Sequence, residues 1–167
     1  MSEPRWLTPN EQAAWRAFLF ASLLVEQQLD HQLRRDAHMS HDYYGMLARL
    51  SEAPDRALRM SDLAEQTASS PSRLTHAVTN LERLGWVTRR PCPIDRRVQY
   101  AVLTDEGHDA LEAAAGGHVD AVRATVFDGL TEDQVDQLRE VMVAILRQLN
   151  PEAAERAELG QPVAEPR

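Results

Sequence analysis

Residues 70–103, SPSRLTHAVTNLERLGWVTRRPCPIDRRVQYAVL, change their period half-way along. Ser70 followed by Pro71 marks a helix start: the hydroxyl can accept an orphan backbone N–H, and the proline's missing donor costs nothing at the first helical position. From there Leu74, Ala77, Val78, Leu81 and Leu84 recur at three- and four-residue steps and define one apolar stripe. The opposite face gathers Ser72, Arg73, Thr75, His76, Thr79, Asn80 and Arg83, all hydrogen-bonding side chains. Gly85 stops the helix. WVTRR and RVQYAVL then alternate and are rich in β-branched and aromatic residues, with PCPID between them as a turn, which predicts a β-hairpin.

Upstream, Ser61 is the expected cap of a short helix, SDLAEQT, whose Leu63 and Ala64 can face a core, and TASS separates it from Ser70. Helix, tight turn, second helix with a polar outer face, then hairpin: this order describes a winged helix-turn-helix. A further helix is expected from about Ser40, carrying Tyr43, Met46, Leu47 and Leu50 until SEAPDR breaks it. The first begins at TPNE, with Thr8 as N-cap, Pro9 behind it and Glu11 closing a capping box. Trp15, Phe18, Leu19, Ser22, Leu23, Val25 and Leu29 predict a wide buried face up to about Leu33.

Downstream, Thr104 caps a long helix with Asp105 and Glu106 in its first turn, and Gly116 and Gly117 predict a kink or close backbone approach midway. Thr131 and Gln134 form a second capping box, and Val135, Leu138, Met142, Ile145 and Leu149 follow at heptad spacing. Residues 150–167, rich in Pro, Ala and Glu, are expected to form a disordered tail. The fold class is mainly α with a small β-wing (α+β), one domain in 167 residues.

The chain carries a formal charge of −8, and all eighteen of its basic residues are arginine. Six of them, Arg73, Arg83, Arg89, Arg90, Arg96 and Arg97, lie between Ser70 and Tyr100 against Glu82 and Asp95, a local excess of +4 in an acidic body. Such a segment presents itself to a polyanion. The major groove of B-DNA admits one α-helix, where Arg reads guanine, Asn reads adenine, and Ser or Thr bond bases or phosphates. The candidate contacts are therefore Ser70, Ser72, Arg73, Thr75, His76, Thr79, Asn80 and Arg83 on the helix, with Arg89, Arg90, Asp95, Arg96 and Arg97 on the hairpin. Pro91 and Pro93 stiffen the tip so that Arg96 or Arg97 can enter the adjacent minor groove, and Asp95 is expected to pair a neighbouring arginine and hold its rotamer.

No apolar run is long enough to span a membrane, no secretory signal opens the chain, and the single Cys92 fits a reducing compartment, so a cytoplasmic protein is expected. There is no Gly-rich phosphate loop or nucleophile elbow, which argues against an enzyme, and no cofactor is expected.

The segment RMSDLAEQTASSPSRLTHAVTNLERLGWVTRRPCPIDRRVQYAVLTDEG, residues 59–107, resembles the DNA-binding core of the multiple antibiotic resistance regulator (MarR) family, above all in the DRR triplet at Asp95–Arg97 and the LTDEG at Leu103–Gly107. The resemblance extends over roughly residues 10–149. It implies dimerisation helices at 8–35 and 104–149 flanking a DNA-binding lobe at 40–103, and a triangular homodimer that straddles a pseudo-palindromic operator. It also implies a repressor that releases DNA when a small phenolic or anionic lipophile binds between the two parts. Trp15, Phe18, Tyr43, Tyr44 and Met46 supply aromatic and soft apolar surface for such an effector, with His118 or Arg123 to meet an anion. The sequence departs from the family pattern at Ala68, often Gly, at Cys92, often Asp, and at His108, often Arg.

Other readings stay open. Cys92 among arginines suits a redox-responsive regulator of the same fold. His31, His38, His41 and His108, near Asp30, Asp36, Asp42 and Glu112, suit a metal-responsive one, although their spacing matches no strong metal motif and no metal site is assigned. A winged-helix protein-interaction module without DNA binding is the remaining alternative.

Overall fold

A computed structural model describes residues 4–95 and 97–158. These residues form seven α-helices and a three-stranded sheet in the order α1 (Pro9–Ala37), α2 (His41–Glu52), β1 (Ala57–Arg59), α3 (Met60–Gln66), α4 (Pro71–Arg83), β2 (Val87–Pro91), β3 (Gln99–Leu103), α5 (Asp105–Val122), α6 (Glu132–Leu149) and α7 (Pro151–Glu158). Five of the start signals act as expected. Thr8 and Glu11 close one capping box and Thr131 and Gln134 another, while Ser40, Ser70 and Thr104 each accept a backbone N–H of the following first turn.

The core lies where α2, α3 and α4 meet the inner face of the sheet and the first half of α5. Leu33, Leu47, Leu50, Leu63, Leu74, Val78 and Leu81 are fully buried there, joined by Val87, Ala101 and Leu103 of the hairpin and Leu111 and Ala114 of α5. The stripe on α4 is the one its sequence predicts, except that Leu84 is half exposed, because it is the C-cap and the chain turns away at Gly85, φ 77°.

Between α3 and α4 the turn is closed by the N–H groups of Ala68 and Ser69, which donate to Glu65 O and Ala64 O. Ala68 takes φ 47° there, a left-handed conformation that glycine adopts freely and alanine only at a cost of about 1–2 kcal/mol.

Several expectations are corrected. The sheet has a third strand: β1 pairs antiparallel with β3, Leu58 opposite Ala101, so the order is β1-β3-β2. Because β1 leads straight into α3, Arg59 is the N-cap, and Ser61 lies inside the helix with its hydroxyl on Asp62. No break occurs at Gly116 and Gly117, through which α5 runs as regular helix; a π-helical turn follows it instead, at Arg123–Phe127. The segment from residue 150 is not a loose tail at its start, since α7 packs on α6 and buries Ala154.

The wide face of α1 is the largest difference. Only Leu29, Gln32 and Leu33 are buried within the chain, while Trp15 is 51% and Leu23 53% exposed. On α6 only Val143 is buried, and Val141, Ile145 and Leu149 are open. Among the described residues no helix is long and apolar enough to cross a membrane.

Candidate nucleic-acid interface

With its apolar stripe on the core, α4 turns Ser72, Arg73, Thr75 and His76 outward. Beside it stands the hairpin, held by a register that places Val87 opposite Leu103 and Arg90 opposite Tyr100. At the tip Asp95 accepts three hydrogen bonds from Arg97, from the backbone N–H at 3.0 Å, Nε at 3.1 Å and Nη2 at 3.0 Å. These keep the Asp95 carboxyl below its ordinary range, so it stays ionised and grips the arginine, whose side chain is 91% exposed. The expected brace is present, formed with Arg97. Arg96 lies outside the described residues.

The candidate contacts divide into free and committed groups. Ser70 is used by its capping bond to Arg73 N–H. Ser72, His76, Arg83 and Arg90 have exposed or rim positions, and the Arg73 guanidinium lies 3.7 Å from the Asp42 carboxylate. Thr75 and Thr79 turn their hydroxyls back onto Pro71 O and Thr75 O, each at 2.8 Å.

Asn80 is engaged on every side. Its amide donates to the Tyr43 hydroxyl at 3.0 Å, lies 3.3 Å from His76 Nδ1, and accepts from Arg83 Nη1 at 3.4 Å. Arg89 bonds Glu82, Thr75 and Thr79 and is half-buried.

Residues outside the predicted set of contacts complete this face. Arg59, Met60 and Ser61 line a cleft of about 420 Å³ with Thr75, Arg89, Arg97, Val98 and Gln99, so the start of α3 joins the wing root and α4. Arg59 reaches Tyr100 OH at 3.3 Å across the β1–β3 pairing, and only that unpredicted pairing brings it here. The signal was a basic residue just ahead of the helix-turn-helix. Cys92 is half-exposed on the wing, its thiol held below its ordinary range by the backbone N–H groups of Asp95 and Ile94.

The six residues proposed for an effector do not converge. Trp15 and Phe18 stack on each other, ring centroids 5.9 Å apart, on the open half of α1. Met46 is a core residue. Tyr44 and His118 meet at 4.2 Å, with His41 5.3 Å from His118 and its Nδ1 on Glu26 at 2.8 Å. Burial, with His41 beside it, pulls the His118 imidazole down to about 4, and its Nδ1 has no hydrogen-bond partner among the described residues.

Of the six, Tyr43 alone lines the cleft of about 620 Å³ between α1, α2 and α4, where it is joined by Glu26, Asp30, Arg34, Arg73 and His76. Arg123 pairs with Asp128 at 3.5 Å on the π-helical turn. No group of three or more His, Cys, Asp or Glu among the described residues is arranged to hold a metal ion.

The MarR family profile matches residues 42–98. Among solved structures, the chain is similar to Sco3205, a MarR family transcriptional regulator from Streptomyces coelicolor in complex with DNA, at 52% identity and a TM-score of 0.85 over 90% of this chain and 94% of that one. It is also similar to AbsC, a MarR family transcriptional regulator from the same organism, at 36% identity and a TM-score of 0.82 over 89% and 99% of the two chains. Among curated proteins, the transcriptional repressor MprA of Escherichia coli (strain K12) is 26% identical over 104 residues, 62% of this chain and 58% of its own length. The matches span roughly half the length of the first curated relatives, 42% and 58%.

Proposed function

The chain belongs to the MarR family of transcriptional regulators, and we propose that it acts as a homodimeric, sequence-specific double-stranded DNA-binding repressor that a small phenolic or anionic lipophile releases from its operator. One observation carries the DNA reading: an exposed polar face on α4 stands beside a hairpin whose tip arginine, Arg97, is oriented by Asp95 and otherwise open to solvent. In this reading α4 enters the major groove with Ser72, Arg73, His76 and Arg83, and the wing follows the adjacent minor groove with Arg97. The DNA-bound state of the similar Sco3205 supports it.

The open apolar faces of α1 and α6 support a twofold partner, because side chains such as Trp15, Leu19, Leu23, Val141 and Ile145 gain only when a second surface covers them. Two copies then read a pseudo-palindromic site with both lobes. For the effector, the support is the α1–α2–α4 cleft, where Tyr43 holds Asn80 of α4, together with the buried Tyr44–His118 contact behind it. A ligand that draws on Tyr43 acts on the helix proposed to read DNA.

Footprinting on the promoter next to the protein's own gene, with and without phenolic carboxylates, tests operator binding and release together. If a dimer neutralises about eight phosphates, log K falls against log salt with a slope near −7. Affinity that ignores salt would instead favour a protein-interaction module. Arg97→Ala should weaken operator binding by about 1–3 kcal/mol while leaving dimerisation intact; unchanged affinity at matched salt would remove the wing from the interface.

A further inference from the structure

Arg89 lies in β2 at the wing root, and its guanidinium is committed to the recognition helix. Nη1 donates to Glu82 Oε2 at 2.7 Å, and Nη2 donates to both Thr75 O and Thr79 Oγ1 at 3.0 Å. The Arg89 backbone N–H takes the other carboxylate oxygen, Glu82 Oε1, at 3.1 Å. Thr75, Thr79 and Glu82 stand at i, i+4 and i+7 on one face of α4, so a single strand residue grips two turns of helix. Both charged side chains are about 30% exposed, well sheltered compared with Arg97 at the tip. Charge-assisted bonds in such a setting are short and hold geometry well, and the planar fork that makes them has no lysine equivalent.

We infer that Glu82 and Arg89 form a positioning pair that fixes the wing's angle against α4, and that Arg89 is not itself a phosphate contact. The inference rests on the DNA-binding reading above. Specific binding needs the helix and the wing in neighbouring grooves at once, so holding their spacing in the free protein removes an ordering cost from the bound state. Non-specific binding needs only positive charge near phosphates and is indifferent to that spacing. The pair therefore governs the ratio of specific to non-specific affinity.

The two roles of Arg89 predict opposite signs for Glu82→Gln. Removing an acid from beside a phosphate-contacting arginine would strengthen DNA binding, whereas loosening a positioning pair weakens the specific complex alone. The probes are a duplex that the wild-type dimer selects from a random-sequence pool and a scrambled duplex of the same composition. Glu82→Gln and Arg89→Gln should each lose on the order of tenfold on the selected duplex at matched salt, and the double variant no more than either single, because one interaction is being removed twice. Affinity for the scrambled duplex should not fall in Glu82→Gln, and the salt slope of Arg89→Gln should equal that of the wild type. A gain on the selected duplex in Glu82→Gln, or a slope flattened by about 0.9 per Arg89 removed, overturns the inference. Thermal melting identifies a variant that fails to fold, and the near-isosteric Glu82→Gln decides the sign even if Arg89→Gln is lost. A wild-type protein that selects no duplex overturns the DNA-binding reading and this inference with it; one that selects a duplex while Glu82→Gln gains affinity overturns the inference alone.

Discussion

Two regions of this molecule hold their apolar residues in opposite ways. In the lobe from α2 to β3, the leucines at 47, 50, 63, 74 and 81 are all essentially inaccessible, and the hairpin closes over them with Val87, Ala101 and Leu103. In the terminal helices the large apolar side chains face outward: Phe18 is 39% exposed, Leu23 53% and Ile145 39%. The lobe finishes its core within one chain. The terminal helices are well capped at their N-termini, yet most helical stability comes from packing an apolar face, and only part of theirs is packed within the chain. The difference teaches that the lobe encodes a self-contained core, while the terminal helices leave much of their apolar surface uncovered within the chain.

The sharpest way to break this contrast is Leu23→Asp. If the open face of α1 is a twofold interface, the change forfeits about 1.5–3 kcal/mol of burial at each of two sites, roughly 3–6 kcal/mol per dimer. Sedimentation should then show monomers, and far-ultraviolet circular dichroism should still show the lobe's helices. A dimer that survives would move the association surface elsewhere. Leu81→Ala probes the other side: at a fully buried position it should cost about 2–5 kcal/mol in urea unfolding.

The junction between the two regions yields the third, smaller effect. His118 of α5 is 8% exposed against Tyr44, with His41, and through it Glu26, alongside. Its imidazole is lowered from 6.5 to about 4, so between those values the unfolded chain binds a proton that the folded one does not. Stability from this group is complete above pH 6.5 and declines as pH falls toward 4, by about 3 kcal/mol. Urea titrations over that window should show the decline in the wild type and flatten it in His118→Phe. An equal decline in both would place the proton elsewhere.

Most of the frame is legible in the sequence, and for local reasons. Caps at Thr8, Ser40, Ser70, Thr104 and Thr131 are short-range chemistry, written within four residues of where they act. What escaped depends on distant partners. Three residues of β1 show no period of their own and become a strand only because β3 offers Ala101 and its neighbours to pair with. Arg89 is a candidate DNA contact by sequence, and only the fold brings Glu82 of α4 against it. Asn80 carries the side chain that would read adenine, but its amide faces Tyr43 on α2, a contact across 37 positions that no helical periodicity reveals. The glycine pair predicts a kink or close backbone approach that the fold does not use: an added Cβ at Gly117 would meet only the Gln32 side chain, at an ordinary 3.5 Å.

Gly107 has no such latitude. A β-carbon there would come within 2.1 Å of Trp86 O and 2.9 Å of Leu103 Cδ1, so the first turn of α5 rests directly on the backbone that opens the hairpin. Thr104 tightens the same corner by donating its hydroxyl to Gly85 O and its N–H to Trp86 O. With no side chain between helix and hairpin to yield, any residue larger than glycine at 107 would push the start of α5 away from the wing.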